Sequence, residues 1–169
     1  MAEESLRARR VMDAAFLDDF RQTLDRAAER LLAYSDAEAS VRPAPGKWSR
    51  KEIIGHLLDS ASNNHGRFVR AQLQDDLVFP GYDQDAWVRV QRYQERRWVD
   101  LVRAWHAYNH QIANIMEAAD PNALERPRTR HNLHETAWQE VPQSEPATLE
   151  YFMRDYVGHL KHHLAQAVP

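Results

Sequence analysis

Four segments of this 169-residue chain repeat apolar residues at helical spacing, and a break that contains proline separates each from the next. They span about residues 11 to 34, 49 to 75, 83 to 119 and 148 to 166. A glycine count of only 5 and many Ala, Leu, Arg, Glu and Gln favour helix over sheet. The length suits one well-buried domain. The sequence therefore predicts an all-α four-helix bundle, a single domain over residues 1 to 169 with about 1 to 10 as an N-terminal extension.

Polar residues mark where the predicted helices begin. Ser49 and Glu52 form the pattern of a capping box, in which each side chain can accept the other residue's backbone N–H. Asp83 or Asp85 can cap the third helix, which we expect to end before Asp120-Pro121.

The connection between helices three and four, residues 121 to 147, holds four prolines and shows little periodicity. Its arginines and histidines make it locally basic, although such arginines are more often solvated than part of an anion site. A structureless connection of this length is unusual in a compact domain. It is therefore either a working loop or a segment that contains short elements.

Composition removes several classes of function. The formal net charge of −3, with Lys+Arg 22 against Asp+Glu 25, does not suit a nucleic-acid surface. The chain has no cysteine, which excludes disulfides, thiolate metal sites and a cysteine nucleophile. No apolar run approaches the roughly 20 residues that span a bilayer, and no signal peptide is visible. We expect a soluble cytoplasmic helical protein, with neither nucleic acid nor membrane as a partner.

Two histidines of the last helix, His159 and His163, are four positions apart and therefore lie one turn apart on one face. Neutral imidazole is a common metal ligand. His163 falls inside the apolar stripe of this helix and His159 at its edge, whereas His162 points away and should be solvated. The stripe comprises Leu149, Phe152, Met153, Tyr156, Val157, Leu160 and Leu164. The pair should therefore face the other helices.

Helix two offers a third imidazole, His56, beside its apolar face. That face comprises Ile53, Ile54, Leu57, Ala61 and Phe68. A narrow polar stripe runs along it and comprises His56, Ser60, Asn63, Asn64 and Arg67. In a bundle such a stripe lines an internal cleft or is satisfied by facing polar groups. His56 is thus either a metal ligand or a hydrogen-bonded structural histidine, while His65 points elsewhere and should be exposed.

A rival pair, His106 and His110, has the same spacing on helix three. Both lie away from the predicted apolar stripe, and we expect them to face solvent. The stripe comprises Trp87, Val90, Trp98, Leu101, Trp105, Tyr108, Ile112 and Met116. A set of four tryptophans is expected to fill the core: Trp48, Trp87, Trp98 and Trp105. His131 and His134 lie in the long connection without a helix to align them. The residue after His159 is leucine, which excludes a zincin motif.

Three stretches together resemble the DinB-like (YfiT-type) superfamily of four-helix metalloenzymes. Pro45-Gly46-Lys47-Trp48-Ser49, followed by Glu52 and Gly55-His56-Leu57-Leu58-Asp59, is similar to the family's entry into helix two. Asp83-Gln84-Asp85-Ala86-Trp87 resembles the start of its third helix. Tyr156-x-x-His159-x-x-x-His163-x-x-Gln166 is similar to its C-terminal signature. The likeness covers the chain after about residue 10.

This resemblance implies a metal triad of His56, His159 and His163. Three imidazoles without a thiolate suit a borderline divalent ion, zinc or nickel, and leave positions open for water or substrate. Gln166 and Asp59 are the candidate supporting residues. Asn63 and Arg67 lie further along the polar stripe of helix two. They are, with Asp59, the candidate catalytic or substrate-contacting residues.

The family resemblance implies a thiol-dependent S-transferase that uses a low-molecular-weight thiol such as bacillithiol or mycothiol. The metal would lower the pKa of that thiol. Two alternatives stay open: a metal-dependent hydrolase, and a helical module that binds metal or ligand without turnover. In either enzyme Asp59 or Asp155 is a candidate general base. The family also implies a homodimer, for which Tyr82 and Trp138 are candidate interface residues.

Overall fold

Four long helices form the body of the molecule. The computed structural model describes residues 12–169, and the predicted N-terminal extension of about residues 1–10 lies outside them. The long helices are α1 (Ala14–Leu32), α3 (Arg50–Leu73), α5 (Trp98–Glu117) and α8 (Leu149–Ala167). Helix α3 packs against α5 and α8, and α1 packs against α5 and α8, which closes the bundle. The predicted all-α four-helix fold is confirmed, with no strand among the described residues.

Short helices fill the connections between the long ones. They are α2 (Asp36–Ala39), α4 (Gln84–Gln91), a 3₁₀ turn (Tyr93–Glu95), α6 (Pro121–Glu125) and α7 (Leu133–Thr136). The predicted capping box is present at the start of α3: the Ser49 side chain accepts the Glu52 N–H, and the Glu52 carboxylate accepts the Ser49 N–H. Asp83 caps α4 by accepting the Ala86 N–H at 3.0 Å. Both capping predictions are confirmed.

The core consists of the apolar faces that the sequence indicates on α3 and α8. All members of both predicted stripes are buried. Trp98, Trp105 and Phe20 are among the largest fully buried side chains. On α1, Leu24 and Leu31 are fully buried, whereas Leu32 is 43% exposed. None of the helices between residues 12 and 169 combines the length and apolar composition that a membrane span requires.

The prediction of one continuous helix over residues 83 to 119 is wrong. The chain takes a left-handed conformation at Arg92, with φ 54° and ψ 46°, which ends α4 before the 3₁₀ turn begins. As a result Trp87 and Val90, which were expected in the core, are 38% and 75% exposed. Because the break interrupts the helical repeat between α4 and α5, one helical stripe cannot describe both parts of the predicted helix.

Gly55 and Tyr93 explain where the chain goes after this break. A Cβ atom on Gly55 would lie 2.1 Å from the Tyr93 ring, so only glycine lets the ring rest on the α3 backbone. The Tyr93 hydroxyl donates to Asp59 Oδ1 at 2.6 Å. This contact stabilises the 3₁₀ turn against α3 and compensates for the unfavourable backbone at Arg92.

The connection over residues 121 to 147 contains short elements, which confirms the second of the two expectations for this segment. Besides α6 and α7, isolated bridges pair Leu77 with His131 and Arg128 with Ala147. The Arg128 guanidinium is 3% exposed and donates to the carbonyl oxygens of Ala71 and Ala123. That arginine is therefore a structural residue that ties the connection to the end of α3.

Candidate metal centre

Three imidazoles meet where α3 faces α8. His56 comes from the first turns of α3, and the one-turn spacing of His159 and His163 presents both rings to it. The Nε2 atoms of His56 and His159 are 3.3 Å apart, and one ligand atom from each of the three residues lies within 4.8 Å of the others. Ligand atoms of one tetrahedral zinc ion are separated by roughly 3.3 Å. The structure thus brings together all three residues of the predicted triad.

Burial keeps these imidazoles in the form that binds metals. His56 is only 1% exposed, and His159 and His163 are half-buried. Burial, reinforced by His163, lowers the pKa of His56 to about 4. Burial and the neighbouring histidines lower the pKa of His159 to about 3, and burial also lowers the pKa of His163. All three rings are therefore neutral near pH 7 and can offer a lone pair.

Neighbouring side chains orient the rings. The Gln166 side-chain oxygen lies 3.2 Å from His163 Nδ1 and can accept a hydrogen bond from it. The other ring nitrogen, Nε2, is then free to bind an ion. The Trp48 ring lies 5.0 Å from the His56 ring, centroid to centroid, and forms a wall of the site. Two facing Nε2 atoms can share at most one proton in a hydrogen bond. A set of three neutral nitrogen ligands fits a divalent transition-metal ion.

Asp59 was predicted to support the metal ligands, but its carboxylate hydrogen-bonds to Tyr93 and Gln91. Its Oδ1 atom accepts from the Tyr93 hydroxyl and from Gln91 Nε2, at 2.6 and 2.5 Å, while Oδ2 is buried without a hydrogen-bond partner. Burial raises the pKa of Asp59. Its hydrogen bonds hold α4 and the 3₁₀ turn on α3. Of the two predicted supporting residues, Gln166 is the one that contacts a histidine of the triad.

A cleft of about 300 Å³ opens beside the triad. The polar stripe of α3 lines it through His56, Ser60, Asn64 and Arg67, which is the first of the two alternatives that the sequence left open. Asn63 is the exception, because it is half-buried and its amide donates to the Asp59 carbonyl oxygen at 2.9 Å. The segment between α3 and α4 contributes Tyr82, and the segment between α5 and α8 contributes Glu135 and Trp138. Helix α8 contributes Phe152, Asp155, Tyr156 and His159.

Arg67 is the charged group inside this cleft. It is 5% exposed, and burial lowers its pKa. Its guanidinium donates to the Pro80 carbonyl oxygen at 2.8 Å and approaches Asn64 Oδ1 at 3.5 Å. No carboxylate between residues 12 and 169 forms an ion pair with it. A buried cation without a counter-ion is a natural contact for an anionic ligand.

The wall opposite α3 depends on Asp155. Its carboxylate accepts the backbone N–H groups of Trp138 and Gln139 at 2.8 and 2.7 Å, and burial raises its pKa. The Trp138 ring then packs on Gly158, where a Cβ atom would lie 3.1 Å from it. Trp138 was expected only as an interface residue. A glycine inside the last helix was the sequence signal for this close approach.

Three histidines outside the triad deviate from the expectations. His106 and His110 were expected to face solvent, but both are half-buried and approach Asp25 on α1. His65 was expected to be exposed, but it is half-buried with Nδ1 3.0 Å from the Tyr108 hydroxyl. In both cases a polar residue on a neighbouring helix draws the ring inward. His162, expected to be solvated, is exposed.

The helical bundle with its histidine site defines a member of a known family. A family model for the DinB superfamily matches residues 17–167, and the chain belongs to that superfamily. Among solved structures, YfiT from Bacillus subtilis is similar, with a TM-score of 0.69 and 18% identity over 99% of this chain and 89% of that one. YfiT is described as a probable metal-dependent hydrolase with an unusual four-helix bundle topology. A search of curated proteins found no match.

Proposed function

We propose that this protein is a metal-dependent enzyme that holds a divalent ion, zinc or nickel, on His56, His159 and His163 and acts on a small molecule. The observation that carries the proposal is a triangle of neutral imidazoles, one buried and two half-buried, of which His56 and His159 line a cleft. A divalent ion bound there supplies a Lewis acid that lowers the pKa of a water or thiol beside it. Three protein ligands leave room for such a molecule.

The residues of the cleft support a substrate with an acidic group. Arg67 can direct its guanidinium at a carboxylate or a similar anion, because it already lies in the cleft and has no ion-pair partner among residues 12–169. Asn64, 6% exposed, offers a neutral amide beside it. Asn63, whose amide is bound to the Asp59 carbonyl, is the weaker of the two predicted contacts.

The preferred reaction is transfer to a low-molecular-weight thiol such as bacillithiol or mycothiol. The two carboxylates considered as general bases already accept hydrogen bonds: Asp59 from Tyr93 and Gln91, and Asp155 from two backbone N–H groups. The chain has no cysteine to serve as nucleophile. These facts favour a nucleophile that is not part of the chain, and the family resemblance favours a thiol over water. The thiol sulfur forms a bond to an electrophilic carbon, the leaving group departs with its electron pair, and the thiol proton passes to solvent.

Hydrolysis is the second candidate, because the fold is similar to that of YfiT, described as a probable metal-dependent hydrolase. For that reaction Glu135 is the available base. It lines the cleft and is exposed, and its carboxylate lies 3.3 Å from the Asn132 amide nitrogen and 3.7 Å from His134 Nε2. A third reading, binding without turnover, predicts no reaction with any substrate.

The test uses protein purified without a histidine tag and loaded with one equivalent of zinc or nickel. We expect conjugation of monochlorobimane to at least one bacterial thiol, with release of chloride, and loss of that activity in His159→Ala but not in His110→Ala. We expect Arg67→Gln to raise KM for acidic electrophiles more than for neutral ones. Hydrolysis of esters or amides without thiol dependence would replace the first candidate by the second. No turnover in either assay would leave the binding module.

A further inference from the structure

Three more metal-ligating atoms converge between α1 and α5. The Nε2 atoms of His106 and His110 lie 2.7 and 2.8 Å from Asp25 Oδ1, and they are 3.2 Å from each other. The two rings are one turn apart on α5, and Asp25 reaches them from the neighbouring helix. The three side chains therefore form one compact triangle that joins two helices.

The triangle has dimensions that suit a metal ion. At the bond lengths of about 2.0–2.1 Å typical of zinc, neighbouring ligand atoms lie roughly 3.3 Å apart. The three atoms need to separate by only a few tenths of an ångström to reach that spacing. The side chains are partly exposed, 34% and 31% for the histidines and 61% for the aspartate, so they can move apart by this distance without displacing the core.

The helices beneath the triangle are firmly packed. Leu24, which precedes Asp25, is fully buried, and so is Trp105, which precedes His106. Asn109, next to His110, is also fully buried. Because these neighbours fix the rotation of both helices, the ligands are supported by rigid backbone, as a preformed site requires.

We propose that Asp25, His106 and His110 form a second divalent transition-metal site, which binds zinc and links α1 to α5. Two imidazoles and one carboxylate are a ligand set for such ions, with remaining positions occupied by water. The site is distinct from the triad between α3 and α8 in its residues, its helices and its charge. Its partly exposed ligands lose side-chain freedom on binding, so it binds more weakly than the triad.

Zinc titration followed by calorimetry tests this site separately from the triad. The variant His159→Ala disables the triad, and we expect it to retain one weaker equivalent of zinc. That equivalent should disappear in His159→Ala/His110→Ala and in His159→Ala/Asp25→Ala, and persist in the matched control His159→Ala/His65→Ala. Zinc should raise the melting temperature of His159→Ala by about 5 °C and that of the His110 double variant by much less.

Two outcomes would overturn the site: no zinc bound by folded His159→Ala, or zinc binding that survives loss of His110. The first leaves the proposed triad untouched, since that is judged on the unaltered chain. If His159→Ala does not fold, His110→Ala alone gives the answer. It must lose the weaker of two equivalents and keep the tighter one. A clamp made only of hydrogen bonds predicts one equivalent for both the unaltered chain and His110→Ala.

Discussion

His159 and His163 on α8 face an imidazole of another helix inside the bundle, whereas His106 and His110 on α5 reach a carboxylate at the surface. Both pairs have the same spacing, and both offer two donors one turn apart. What differs is the third residue and the access of water. The spacing therefore identifies paired donors, but the partner helix determines the charge and the affinity of the site.

The two clusters differ in what shifts the pKa values of their residues. In the buried triad, desolvation lowers the pKa of every histidine, and no carboxylate is among its three ligands. At the surface, hydrogen bonds from His106 and His110 lower the pKa of Asp25. The triad is thus a set of neutral imidazoles in which His56 Nδ1 has no hydrogen-bond partner, whereas the three atoms of the surface cluster all hydrogen-bond to one another. We expect tighter binding in the interior.

Loss of one ligand should separate the clusters most strongly. We expect His56→Ala to weaken tight zinc binding by more than about 100-fold, because two ligands cannot hold the ion as three do. His106→Ala should leave this affinity unchanged. The measurement is a competition titration against a chromophoric chelator. Equal losses in both variants would contradict the assignment of tight binding to the interior.

A smaller effect is expected from the residue that orients His163. Replacing Gln166 by Leu removes the oxygen that lies 3.2 Å from His163 Nδ1. We expect zinc affinity to fall about tenfold, the lower end of what such supporting residues contribute, since Gln166 is exposed. The same titration measures it. The control is Gln166→Glu, which keeps an acceptor for the Nδ1 proton and should retain most of the affinity.

The smallest difference concerns stability without metal. His56 Nδ1 is buried with no hydrogen-bond partner, so His56→Leu removes a buried polar group along with its ring. We expect the free energy of unfolding in a chelator to stay unchanged or to rise by about 1 kcal/mol. Asp25→Ala, at an exposed site, should change it by no more than about 0.5 kcal/mol. Chemical denaturation measures both, and a clear loss in His56→Leu would show that the ring stabilises the metal-free bundle.

The sequence predicts most of what lies within single helices. His56, His159 and His163 were selected because each lies inside or beside an apolar stripe, and that stripe is a property of one helix. The capping box at Ser49 is equally local. The structure brings the three histidines together, while metal binding itself stays a prediction, as does the homodimer.

Relations between helices explain what the sequence did not predict. Asp25 lies 81 positions before His106, and no pattern within α1 indicates which acidic residue faces α5. The break at Arg92 was missed because its cause, the close approach of Tyr93 to Gly55, involves a residue of another helix. Asp59 was placed beside the metal from its motif, although its side chain points to Tyr93 and Gln91.

The contact between Gly55 and Tyr93 limits which substitutions the protein can accept. It directly precedes His56, and its backbone supports the Tyr93 ring on one side while the next residue presents its imidazole to α8. Any side chain at position 55 must displace either the ring or the helix that carries the ligand. In a random-mutagenesis screen for variants that lose the metal, substitutions of this glycine should therefore appear together with substitutions of the three histidines. Divergent copies of the gene should change position 55 and position 93 together or not at all.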